Sequence, residues 1–302
     1  MTRKTFTGYC IYKDAESTDL SIEHVIPLSL GGHDRLSIKA DRKINNGIAS
    51  KIDSDIANDF TVLFSRRNAN AKGHSGRSPA PIAKQSKLRD KKVQLRFGKS
   101  GLEVFDVLSR KLLPEEEFVG EELTAGGISI SLDAPFRFVG KTLLSAGYFA
   151  YGQDFVDQVM HSEARAFMTN NSLMTVHSDA RAFDRYAPAE DDKHLIMKLL
   201  ISQRKESKIL LMPGYDCFGI AVGVLGEFMG FMNIPAPGHN LCNTGDYDLG
   251  HVITVSAGKL ERQSFRSAVE RLGEDLDNND PELLAAIEVE QSLNNRRDST
   301  GS

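Results

Sequence analysis

The residues of this chain best suited to chemistry lie in Ile22-Glu23-His24-Val25-Ile26-Pro27-Leu28-Ser29-Leu30-Gly31-Gly32 and, a little further on, in Ile44-Asn45-Asn46-Gly47. A carboxylate and an amide oxygen are hard ligands that suit Mg2+ or Mn2+ better than a softer metal. An imidazole is the natural general base for water near neutral pH. Phosphodiester hydrolysis needs an activated water, a cation to neutralise the phosphate and the leaving oxygen, and donors that hold the backbone. Glu23 and Asn45 are therefore candidate metal ligands and His24 the candidate base, with helix capping as the bland alternative for Asn45. Neighbouring side chains on a strand point to opposite sides, so Glu23 and His24 line one cleft only if the strand bends between them.

The surrounding pattern supplies elements to position them. Thr7 to Tyr12 is short and rich in aromatic and β-branched residues, and Ser21 to Pro27 reads as a second extended piece ended by proline. Gly31-Gly32 permits a tight loop with positive φ, and Leu36 to Ala40 returns as a short strand. A helix begins near Asp41 or Arg42, because Ile44, Ile48, Ile52, Ile56 and Phe60 recur every four residues as a buried stripe.

This segment resembles the HNH, or ββα-metal, endonucleases, whose motif is Asp/Glu-His-Ile/Val-x-Pro, a Gly-Gly loop, and then Asn or His in a helix. The resemblance spans Gly8 to Phe60. It implies that His24 is the general base, Glu23 a metal ligand and Asn45 the distal ligand, with Asn46 as the fallback. Two departures stand out. Many relatives hold a zinc with two C-x-x-C pairs, and the corresponding places here read Cys10-Ile11-Tyr12-Lys13 and Asp41-Arg42-Lys43-Ile44, so no structural zinc is expected. The middle residue of the motif has no clean counterpart among His33, Asp34 and Arg35.

The net charge of -4 hides a division. Residues 1–100 carry 19 Lys and Arg against 10 Asp and Glu, whereas 101–302 carry 18 against 31. Between Thr61 and Ser100 eleven cations face only Asp90. Such a run concentrates a polyanion, and Arg66, Arg67, Lys72 and Arg77 are the candidate DNA-backbone contacts, positioning without reading sequence. A solvated basic linker is the competing reading.

The length suggests two domains. The expected class is α+β: an N-terminal ββα-metal nuclease module over 1–65, a basic linker over 66–92, and an acidic mixed α+β domain with antiparallel strands over 93–302. In the last, strands are expected at Val93 to Phe97, Leu102 to Leu108, Ile209 to Met212, Cys217 to Leu225, Phe228 to Ile234 and His251 to Val255. Helices are expected over Lys141 to Met160, Lys193 to Lys205, Lys259 to Leu276 and from Pro281 onward. His239, Asn240, Cys242, Asn243 and His251 are a weak metal candidate that lacks a third ligand at sensible spacing.

The scattered Cys10, Cys217 and Cys242 argue against a disulfide framework, and no apolar run has membrane-spanning or leader length, so a cytoplasmic address without membrane contact is expected. The resulting expectation is a DNA endonuclease using one Mg2+ or Mn2+, with a restriction or anti-phage role implied by the resemblance. The acidic domain would bind a small-molecule or protein regulator, and a homodimer would cut both strands. The alternative is a non-catalytic nucleic-acid-binding or ligand-sensing protein whose HNH module is degenerate.

Overall fold

The structure is a computed structural model describing residues 6–72, 76–98, 100–128, 130–169, 181–187, 189–236, 241 and 245–300. Strands β1 (Phe6–Cys10), β2 (Ala15–His24) and β3 (Ser37–Asp41) form an antiparallel sheet in the order β1-β2-β3. Asp41 ends β3 and caps the helix after it: its Oδ1 accepts from the amides of Lys43 (3.0 Å) and Ile44 (3.2 Å). From there α1 (Arg42–Ile44) passes through a π-helical turn (Asn45–Ala49) into α2 (Ser50–Ala57), and α3 (Phe60–Asn68) comes next behind its own Asp59 cap.

The isoleucine stripe is interrupted at the π turn: Ile52 and Ile56 on α2 are buried, while Ile48, inside the turn, is exposed. Phe60 belongs to the next helix and meets Phe64 edge-on at 5.2 Å.

A second sheet, β7-β6-β5-β4-β8, consists of β4 (Ile82–Leu88), β5 (Lys91–Gly98), β6 (Gly101–Asp106), β7 (Lys111–Leu112) and β8 (Leu123–Thr124). It has its own small core of Ala83, Leu88, Val93, Leu95, Val104 and Phe118. The stretch 66–92 is therefore not a plain linker: it contains the end of α3 and a full strand, whose apolar positions are hidden among lysines.

The third sheet, β14-β13-β10-β11-β12-β9, is antiparallel throughout and is built from β9 (Arg181–Asp184), β10 (Ser207–Pro213), β11 (Cys217–Val224), β12 (Glu227–Pro235), β13 (His251–Ser256) and β14 (Lys259–Ser264). Leu225 and Gly226, both at positive φ (52° and 87°), close the β11–β12 hairpin. A second such turn, Ala257-Gly258 (φ 47° and 77°), makes 259–264 a strand rather than the start of a helix. Ser264 then caps α8 (Phe265–Asp277) by accepting from the Ser267 amide at 3.1 Å.

Helix α4 (Asp133–Tyr151) is the axis of the molecule, buried along most of its length. One continuous core joins β1–β3 and α2 through α4 to the inner face of the third sheet, so the N-terminal strands share their core with the later chain instead of standing apart as 1–65. The other face of that sheet is covered by α7 (Asp192–Ser202), α8 and α9 (Pro281–Thr300) over Leu210, Phe228 and Val252. Among the described residues no helix is long and apolar enough to cross a membrane.

His251, on β13, is fully buried, stacks on Tyr247 with centroids 4.8 Å apart, and accepts from Arg262 Nε at 2.7 Å. Burial, reinforced by the Arg262 charge, lowers its pKa to about 4. A ring pressed against a guanidinium is poorly placed to ligate a cation. The rest of that weak metal candidate, His239, Asn240, Cys242 and Asn243, lies outside the described residues. Because the folded state resists protonating His251, its contribution is present above pH 6.5 and lost as pH falls towards 4. Urea unfolding of His251→Gln, measured from pH 7 to 4, is expected to lose on the order of 2 kcal/mol less than the parent chain; equal losses would refute this.

Candidate active site

His24 is the last residue of β2, paired across the sheet with Ser37 on β3. Strand alternation settles the orientation question: Ser21 and Glu23 face the helices, whereas Ile22 (58 % exposed) and His24 take the outer face. The strand does not bend between Glu23 and His24, and β2 pairs regularly with β3 through both residues.

The His24 ring is partly open to solvent, and its Nε2 lies 3.2 Å from Oδ1 of Asp34. Asp34 projects from the loop joining β2 to β3 and is exposed. A carboxylate accepts only, so this contact places the ring proton on Nε2 and leaves Nδ1 with a lone pair. Of His33, Asp34 and Arg35, Asp34 is the residue whose side chain reaches the His24 ring. Its neighbour His33 turns inward on the loop, where Nδ1 accepts from the Arg35 amide at 3.1 Å.

The loop itself is clamped from three sides. Gly31 has φ 76°, and a Cβ there would come within 2.5 Å of Leu225 and 2.8 Å of Ser207 Oγ. A Cβ on Gly32 would fall 1.8 Å from the Ile26 carbonyl oxygen, so both glycines are dictated by close approach. Ser207 Oγ, at the start of β10, donates to Leu30 O (2.7 Å) and accepts from the Leu225 amide (3.0 Å). Arg66 Nε donates to Ser29 O at 2.8 Å, and its Nη1 donates to Ala57 O at 2.8 Å.

Those bonds correct the reading of Arg66 as a DNA contact: it is buried, its guanidinium is occupied by backbone carbonyls, and burial lowers its pKa. Arg67 is similarly engaged, donating to Phe97 O (3.0 Å) and Gly98 O (3.3 Å) and so tying α3 to β5. Lys72 and Arg77 are exposed.

On the helix-facing side, Asn45 donates Nδ2 to Ile22 O (2.9 Å) and Ser21 Oγ (3.0 Å), which pins the π turn to β2. Its amide oxygen is thereby turned away from the Ile22 carbonyl. Asn46 is exposed on the same turn.

Glu23 does not meet Asn45 around an open position. It is buried, and its Oε1 lies 2.7 Å from Nζ of Lys141, which is fully buried on α4. The same ammonium lies 2.6 Å from Oδ1 of Asp53 on α2, and Tyr12 Oη donates to Glu23 Oε1 at 3.3 Å. Burial alone would strip the proton from Lys141, but Asp53 and Glu23 together outweigh it and hold the lysine charged. Burial, with Glu23 adding to it against Lys141, raises Asp53 to about 6. Burial and the Glu23 charge push the Tyr12 hydroxyl well above its ordinary range. Among the described residues no group of three or more His, Cys, Asp or Glu side chains converges as a metal site.

Lys141 escapes pattern reading, although a lone cation inside Phe138-Val139-Gly140-Lys141-Thr142-Leu143-Leu144 is the signal that could have found it. Replacing it strands two buried carboxylates, a change that costs about 3–5 kcal/mol when one partner of a buried pair is removed. Lys141→Met is therefore expected to lower the unfolding free energy by about that amount at neutral pH; a loss under about 1 kcal/mol in a denaturant titration would show that the pair does not hold α4 to β2. No protein-family model matches this chain, and no curated protein and no solved structure matches it.

Proposed function

We propose that this chain hydrolyses DNA phosphodiester bonds at its N-terminal strand-loop-strand-helix segment, as an HNH-like endonuclease, with His24 as general base and Asp34 as the residue that positions it. The reading is carried by the His24–Asp34 pair, 3.2 Å apart at the open end of β2. Asp34 accepts a hydrogen bond from Nε2–H, which stays on the ring, and leaves Nδ1 to take a proton from a water that attacks phosphorus. The P–O bond to water forms as the bond to the leaving oxygen breaks, and the Asp34 charge stabilises the imidazolium that results.

Support also comes from the other end of the segment. The four places where related nucleases hold zinc are Cys10, Lys13, Asp41 and Ile44. Here the Asp41 amide donates to Cys10 Sγ at 3.1 Å, Lys13 Nζ lies 4.0 Å from Asp41 Oδ2, and the Ile44 amide donates to Asp41 Oδ1. Ser17 Oγ adds a bond to Asp41 Oδ2 at 2.9 Å. Burial would raise the Asp41 carboxyl, yet the bonds from Ser17, Ile44 and Lys43, with the Lys13 charge, hold it below its ordinary value. A hydrogen-bonded knot thus ties together the same two chain segments.

The Mg2+ or Mn2+ implied by the resemblance does not fit Glu23 as it stands, because Lys141 and Tyr12 already occupy that carboxylate. No step is assigned to the ion. The same contact favours a second reading, a nucleic-acid-binding module that has lost catalysis, with the Lys141 ammonium standing where a metal would otherwise be held.

Plasmid nicking separates the two. The wild-type chain with Mg2+ or Mn2+ is expected to cut, His24→Ala to be slower by about 10²-fold or more, and Asp34→Asn to be slower by roughly 10- to 100-fold with unchanged thermal midpoint. Equal absence of cutting in wild type and His24→Ala would establish the second reading instead.

A further inference from the structure

Two arginines of the basic run are taken up by backbone carbonyls, Arg66 in holding the loop beside His24 and Arg67 in tying α3 to β5. The remaining cations lie on the second sheet. Val93, Leu95 and Val104 point into its small core, so the alternation of β5 sends Lys92, Gln94 and Arg96 to the opposite, outer face. The register places Lys87 directly opposite Lys92, Gln94 opposite Phe105, and Arg96 opposite Glu103. Lys87 is flanked on its other side by Thr124. Arg96 lies over the Phe105 ring, 4.6 Å from its centroid, flat against the sheet.

We propose that this outer face, centred on Lys87 and Lys92 and bordered by Lys84 and the Arg96–Phe105 stack, binds the phosphate backbone of duplex DNA. The decisive observation is the directly opposed lysine pair. Like charges at opposed positions destabilise a sheet, and both side chains are exposed with no ion pair among the described residues. Of the acidic residues nearby, Glu121 pairs with Arg89, Asp106 faces the core side and accepts from the Leu108 amide, and Glu103 lies across from Arg96 instead of the lysines. A sheet carries such a repulsion at a stability cost, and a polyanion laid across it removes that cost while releasing its own counterions. The proposed contacts are lysine to phosphate, which position a duplex without reading it.

The face also has a fixed relation to the N-terminal segment. Phe97 of β5 packs against Phe60 (5.9 Å) and Phe64 (5.1 Å) of α3, and Arg67 bonds its carbonyl. The inference rests on the reading that the chain acts on DNA, but binding is measurable without cutting.

The test is fluorescence anisotropy of the full chain with a labelled duplex in EDTA, over a series of salt concentrations. For Lys87→Glu, Lys92→Glu and the pair, each lost phosphate contact is expected to lower the salt slope by about 0.9 and the affinity at 0.1 M salt by about eightfold. Each single Glu variant is expected to raise the thermal midpoint, since it replaces a repulsive pair by an attractive one. Opposite signs in binding and stability exclude misfolding as the cause. The doubly neutral Lys87→Gln/Lys92→Gln chain is expected to lose the same slope. Unchanged affinity in any folded variant overturns the proposal, as does stronger displacement of the protein by poly-glutamate than by unlabelled duplex. A chain that binds through this face but never nicks keeps the face and loses the hydrolytic reading. One that nicks with wild-type affinity in the Glu variants does the reverse.

Discussion

The Lys141 ammonium, fully buried between Glu23 and Asp53, is the contact on which the arrangement of the N-terminal segment depends. It joins three elements, β2, α2 and the central helix α4, the last two of which are also linked at the surface by Arg137 and Asp55, 3.9 Å apart. Taking three charges out of water is costly, and only close geometry with mutual neutralisation makes it tolerable. The cost fixes register. A slip of one residue in β2 would bury His24 and expose Glu23, leaving Lys141 uncompensated in an apolar core. The ion pair therefore determines that His24 faces outward, although it never touches it.

The same pair sets the limit on the chemistry. A carboxylate held by an ammonium and a phenol is not free to bind a divalent ion, whereas the outward-facing imidazole has a carboxylate of its own in Asp34. The two halves of the Glu-His motif thus face opposite ways, one committed to structure and the other exposed to solvent. Between them runs a loop whose shape is set by the third sheet: Ser207 and Leu225 leave no room for a Cβ at Gly31, and Arg66 holds Ser29. The loop that carries Asp34 is accordingly held by residues far along the chain.

Much of this order is legible in the sequence, and the failures share a cause. The two strands, the glycine loop, the helix start at Asp41 and most strands of the third sheet follow from local periodicity and turn chemistry. Ile48 departs from its expected burial because a period of four reads as one continuous helix, and the π turn that interrupts it leaves no mark in that period. Residues 259–264 read as helical because their charges conceal an alternation that only the Ala257-Gly258 turn reveals. Arg66 and Arg67 read as DNA contacts because charge is visible in a sequence and the carbonyls that accept from them, on Ser29, Ala57, Phe97 and Gly98, are not. Local pattern carries element type; it does not carry which distant atom a long side chain will reach.

That distinction also separates the cations. Arg66, Arg67 and Lys141 are buried or engaged by specific acceptors, so their charge is consumed within the fold. Lys87 and Lys92 oppose each other in the open, where strand pairing would favour any other combination. A fold that neutralises one lysine with two carboxylates in its core, yet leaves two lysines facing each other on a sheet surface, distributes charge by use and not by scarcity of acids: the chain has 41 Asp and Glu against 37 Lys and Arg. A polyanion laid on the opposed-lysine face would relieve a repulsion instead of competing with an existing partner.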